Sequence, residues 1–88
     1  METQLTKMPN IGKVLAEKLV EVGIDTPEKL KAIGSEDAFI RLKTVDSGVC
    51  LNMLCALEGA IQGIRWHDLD EVRKLELKAF RKILDKKI

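Results

Sequence analysis

The sequence predicts an all-α fold, a compact bundle of about five helices, and three observations predict it. Apolar residues recur at helical spacing, and no stretch shows the strict alternation of a half-buried strand. The helical segments are bounded by residues that start or stop helices, with Gly23, Gly34, Gly48 and Gly63 at the seams. The run Val49 to Ile61 is apolar almost all round, with Asn52 and Glu58 its strongly polar residues, which marks the helix that the others surround.

The elements follow in order. Met1 to Lys7 is a short lead-in of about one helical turn, anchored by Leu5 and by Met8 just beyond it. Met8-Pro9-Asn10-Ile11-Gly12 is a tight turn: Pro9 fixes its own φ and extends Met8, Asn10 tolerates the left-handed region or caps a helix, and Gly12 allows a close backbone approach. The helix Lys13 to Val22 places Val14, Leu15, Leu19 and Val22 inward with Ile11, and Lys13, Glu17 and Glu21 in solvent. Gly23 stops it, and Ile24 is expected to plug the core. Thr26 as N-cap and Pro27 at the first position open a short helix to Ile33. Ser35 is expected to cap the next helix, with Glu36 and Asp37 beside its N-terminal dipole and a buried face of Ala38, Phe39, Leu42 and Val45. Asp46-Ser47-Gly48 ends it. After the central helix, Gly59 and Gly63 suit close packing, and Gly63 also acts as a stop. Trp66 closes the core from the connector, where Asp68 and Glu71 have the spacing of a capping box. The last helix runs from about Asp70 to Asp85, with Val72, Leu75, Ala79, Phe80, Ile83 and Leu84 inward and Lys74, Lys78, Arg81 and Lys82 on the opposite face.

Composition bounds the function. Eighty-eight residues, 45% hydrophobic and 33% charged, suit one domain over residues 1–88 with its core between about 5 and 84. Residues 73–88 carry seven Lys or Arg against Glu76 and Asp85, a net +5 in a chain of net +1, so an anionic partner favours the last helix. Two Phe and no Tyr argue against a stacking platform for single-stranded bases. Cys50 and Cys55, five apart, suit neither a disulfide nor a metal pair and read as buried free thiols. With no signal peptide and no run of about 20 apolar residues, the expectation is a reduced, cytoplasmic protein that does not enter a membrane.

No catalytic pattern is visible. His67, the one histidine, has no recognisable nucleophile and orienting carboxylate, and beside Trp66 it reads as a surface or capping residue. There is no phosphate loop, zinc spacing or dinucleotide fingerprint, so no catalytic residue, metal, cofactor or small-molecule substrate is expected. Two perturbed titratable groups within hydrogen-bond reach in a pocket would point to catalysis instead. The stripe Lys74, Lys78, Arg81, Lys82 is open to two readings, a solubilising outer face or a DNA-binding one.

The turn and the residues after it, Lys13-Val14-Leu15-Ala16-Glu17-Lys18-Leu19, resemble the hairpin and second helix of a helix-hairpin-helix module, with Asn10 in place of the first hairpin Gly. That resemblance implies a DNA-phosphate contact through Asn10, Ile11, Gly12, Lys13 and Lys18. Residues 11–33 also resemble the C-terminal domain of the RNA polymerase α subunit, a SAM-like fold. Over Leu5 to Leu84 the chain is similar to the C-terminal domain of the TfoX, or Sxy, family of bacterial competence regulators. The matching pieces are the turn, Ala16, Leu19, Gly23-Ile24, the run Cys50 to Ala60, and Trp66. Full-length members carry a further N-terminal domain, whereas seven residues precede the turn here. The family implies a non-enzymatic regulatory binding module whose partner is DNA, bound weakly and without sequence preference, or a transcription-related protein with no direct DNA contact.

Overall fold

The computed structural model describes residues 4–87; of the expected lead-in, Met1 to Thr3 lie outside the described residues. Five α-helices make the fold: α1 (Lys13–Glu21), α2 (Pro27–Ile33), α3 (Ser35–Val45), α4 (Leu51–Gln62) and α5 (Glu71–Lys87). Two 3-10 helices, Gln4–Lys7 and Trp66–Asp68, precede α1 and α5, and no strand occurs among the described residues. The central position of α4 is as expected: it packs on α2, α3, α5 and the second 3-10 helix, and Leu54, Leu57 and Ala60 are buried on it. One core joins Leu5, Leu19, Ile24, Leu30, Phe39, Leu42, Leu54, Leu57 and Leu77, drawn from every α-helix.

Local signals account for the helix ends. Gly23, at φ +86°, closes α1 in a Schellman motif: its N–H donates to Val20 at 3.0 Å, and the Ile24 N–H donates to Leu19 at 2.8 Å. That motif delivers Ile24 to the core, where it is 1% exposed. The Thr26 hydroxyl accepts from the Lys29 N–H at 3.1 Å, and Pro27 opens α2. Gly63, at φ +77°, ends α4.

Several expectations are corrected. Val14 is 64% exposed because it falls outside the arc of Leu15, Ala16 and Leu19 that turns inward. Val45 is in phase with Leu42 but stands at the last residue of α3, where neighbouring helices no longer cover it. Gly34, at φ +87°, takes the N-cap position of α3, so Ser35 is the first helical residue and its hydroxyl donates to Glu58 Oε1 at 2.7 Å. Cys55 is buried, but Cys50 is the exposed N-cap residue of α4, which starts at Leu51. The Asp68–Glu71 box does not form: Asp68 belongs to the 3-10 helix, and Glu71 pairs with Lys74 at 3.6 Å.

The largest correction is the phase of α5. Leu77 is fully buried and Phe80 and Leu84 are partly so, whereas Val72, Leu75 and Ile83 are 63%, 65% and 56% exposed and Ala79 is exposed. The inward stripe is Arg73, Leu77, Phe80, Leu84, at the spacing i, i+4, i+7, i+11. In this phase Arg73 donates to Glu58 Oε1 on α4 at 3.0 Å.

Candidate functional site

Two surfaces hold the residues singled out in the sequence. The first is the turn before α1. Asn10 takes the left-handed backbone at φ +69°. Its Nδ2 donates to the Ala56 carbonyl at 3.3 Å and the Ile64 carbonyl at 3.0 Å, and its Oδ1 accepts from the Trp66 N–H at 3.1 Å. The side chain is therefore a clasp that ties the turn to α4 and the connector. Gly59 makes room for it: a Cβ there would lie 2.6 Å from Asn10 Nδ2 and 2.8 Å from the Ile64 carbonyl oxygen. Ile11, 5% exposed, anchors the turn to the core.

Gly12 and Lys13 face outward. α1 begins at Lys13 with no capping side chain and no acid in its first turn, and nothing lies within 4 Å of a Cβ built at Gly12. The first N–H groups of a helix have no partner inside it, and a lysine beside them opposes the helix dipole. Lys18 is occupied: its ammonium is hydrogen-bonded to Asp46 at the end of α3. That bond, with one from the Gly48 N–H, holds the Asp46 carboxyl below its usual range. Of these five residues, Gly12 and Lys13 are exposed and without a side-chain partner among the described residues, whereas Asn10, Ile11 and Lys18 are engaged within the fold.

The second surface is α5. Lys78 and Lys82 are exposed and make no ion pair among the described residues. Lys74 donates to the His67 carbonyl at 3.1 Å and pairs with Glu71, and Arg81 lies 3.6 Å from Asp85. The stripe is thus two free lysines and two engaged cations. The connector beside it stacks Trp66 on His67, ring centroids 3.9 Å apart.

One cluster was not legible in the sequence. Glu58, 9% exposed, accepts from Ser35, from Gln62 at 2.6 Å and from Arg73, and Arg73 also reaches Glu76 and Glu36. Burial alone would push the Glu58 carboxyl up, but the bonds from Arg73, Ser35 and Gln62 outweigh it and hold it at about 2. Arg73 is pushed up, chiefly by its bond to Glu58. The two groups line a cleft of about 180 Å³ between α3, α4 and α5. The pair has the form that was expected to point to catalysis, two perturbed groups within hydrogen-bond reach in a cleft, and each group is shifted towards its charged form, as in a structural ion pair. The signal for it was a lone carboxylate on an apolar helix and a lone arginine in register with Leu77 and Phe80.

Elsewhere, burial raises the Cys55 thiol, which keeps it protonated. Among the described residues no three His, Cys, Asp or Glu converge as a metal site would require. No helix among them is long and apolar enough to cross a membrane.

Comparison with known proteins places this geometry. A crystal structure of an uncharacterized protein from Listeria monocytogenes superposes with a TM-score of 0.90 at 56% identity, covering 92% of each chain. A tetragonal form, described as a protein of unknown function from Listeria monocytogenes, gives 0.87 at 56% identity, covering 90% of this chain and 98% of that one. Protein Sxy of Escherichia coli K12 is 36% identical over 74 residues, 84% of this chain, and the match spans 35% of the length of Sxy. The profile of the TfoX C-terminal domain matches residues 1–81. The chain therefore belongs to the TfoX family and carries its C-terminal domain.

Proposed function

We propose that this domain is a non-enzymatic binding module that serves transcriptional regulation and touches nucleic-acid phosphate at the start of α1. The observation that carries the reading is the uncapped helix start: Gly12 faces open space and Lys13 is exposed where an acid or a capping hydroxyl would stabilise the helix. The Asn10 clasp supports it, because a turn held by three hydrogen bonds costs little further ordering when a ligand arrives. Such a contact recognises backbone charge and not sequence, so the affinity falls in the non-specific range, about 10⁻⁴ to 10⁻⁶ M at physiological salt.

The test separates the role of Gly12 in the ligand from any role in the fold. Its φ of −91° suits any residue and a Cβ there meets nothing, so Gly12→Leu should stay folded, with a loss of about 1 kcal/mol or less for the poorer N-cap. The same side chain would stand between the backbone and a phosphate. Fluorescence anisotropy on a random-sequence duplex at about 20 mM salt, where screening is weak, should show binding by the parent and at least a tenfold loss for Gly12→Leu and for Lys13→Glu. A parent that fails to bind even there, or that binds unchanged in both variants, overturns the reading.

A further inference from the structure

α5 has a face that the fold leaves without a partner. Its inward stripe, Arg73, Leu77, Phe80 and Leu84, meets the body of the domain. On the far side Val72, Leu75, Ala79 and Ile83 line a second edge, about 16 Å long at 1.5 Å per residue, with all four side chains exposed. At 100° per residue, Lys78 and Lys82 border that edge on one side, and Lys86 lies along it near its end. None of these three lysines makes an ion pair among the described residues, whereas Arg73, Lys74 and Arg81 all do. Aliphatic exposure and unpaired positive charge thus coincide on one helix face.

We infer that this edge docks an amphipathic helical segment of a protein partner, one that lays aliphatic side chains on Val72, Leu75 and Ile83 across Ala79 and sets carboxylates against Lys78 and Lys82. Charge complementarity selects that occupant. A second copy of α5 packed antiparallel would oppose the lysine border to itself. Packed parallel, it would meet the border of Glu76, whose carboxylate is already bound by Arg73 at 3.4 Å. Nucleic acid would satisfy the lysines and leave the aliphatic row in water. The inference is independent of the phosphate reading at α1, which lies on other residues.

The full 88-residue chain, labelled with ¹⁵N, would be titrated with two synthetic helical peptides that share a Leu seam and carry either Glu or Lys beside it. A random-sequence duplex forms the third arm. The Glu-bordered peptide should shift the amides of residues 72–86 and bind at least tenfold more tightly than the Lys-bordered one. Lys78→Glu with Lys82→Glu should reverse the preference, and Leu75→Ser with Ile83→Ser should abolish binding without lowering the melting temperature. Equal binding of both peptides, or of neither, overturns the inference. So does a duplex that shifts α5 while the peptides do not, or a concentration-dependent dimer whose shifts map to Val72, Leu75 and Ile83.

Discussion

At the scale of single residues, Asn10 and Gly59 form one interlock. A left-handed backbone costs a non-glycine residue roughly 1–2 kcal/mol, and Asn10 recovers this through three hydrogen bonds to Ala56, Ile64 and Trp66. Those bonds require the clasp to pass close over α4, which is why position 59 has no side chain. Gly59→Ala should therefore destabilise by about 1–3 kcal/mol in urea unfolding, the range of an overpacked core. In an Asn10→Gly background the cost should shrink but persist, because the Ile64 carbonyl oxygen would still lie 2.8 Å from the new Cβ. Strictly additive costs would show that the two positions do not share a contact. The sequence marked Asn10 as able to sit in the left-handed region, and Gly59 as a packing glycine. It could not show that they pack on each other, since the partners of Asn10 stand 46 to 56 positions away.

At the scale of elements, what was legible was whatever is encoded locally. Gly23, the Thr26-Pro27 start, Gly34 and Gly63 each act on the backbone within a few residues, and α2 has the bounds that they imply. The phase of α5 was not legible, because two of its edges are aliphatic and periodicity cannot rank them. The observed phase is the one that brings Arg73 to a carboxylate 15 positions earlier on α4 and Leu77 into the core. The two phases predict opposite outcomes for neighbouring leucines. Leu77→Asp should abolish cooperative unfolding, since an unpaired buried charge costs several kcal/mol in a domain stabilised by about 5–15 kcal/mol. Leu75→Asp, at a position 65% exposed, should move stability by no more than about 0.5 kcal/mol. Thermal melts of the two variants decide it, and a collapse of Leu75→Asp with survival of Leu77→Asp would reverse the assignment.

At the scale of the whole molecule, the Glu58 cluster ties α3, α4 and α5 together and makes the stability of the fold depend on pH. The Glu58 carboxyl is held at about 2 in the folded chain against an ordinary value of 4.5. A carboxyl depressed by folding contributes its stability above the unfolded value, and that contribution is lost as pH falls from about 4.5 towards 2. Each tenfold change in proton affinity between the folded and unfolded chain is worth about 1.4 kcal/mol, so the contribution reaches roughly 3 kcal/mol before solvent screening reduces it. That is a sizeable share of the total for so small a domain. Asp25 and Asp46 are depressed in the same direction by Lys29 and Lys18, so an acid melt of the parent alone does not isolate Glu58. Glu58→Gln supplies the reference, because it keeps the shape and removes the titration. In urea unfolding from about pH 7 down to about pH 2, the parent should exceed Glu58→Gln by the largest margin above about pH 5, and the margin should close steadily below it. A margin that stays constant over that range would mean that folding does not depress the Glu58 carboxyl, and that its bond to Arg73 adds nothing to the hold of Leu77 and Phe80 on α4.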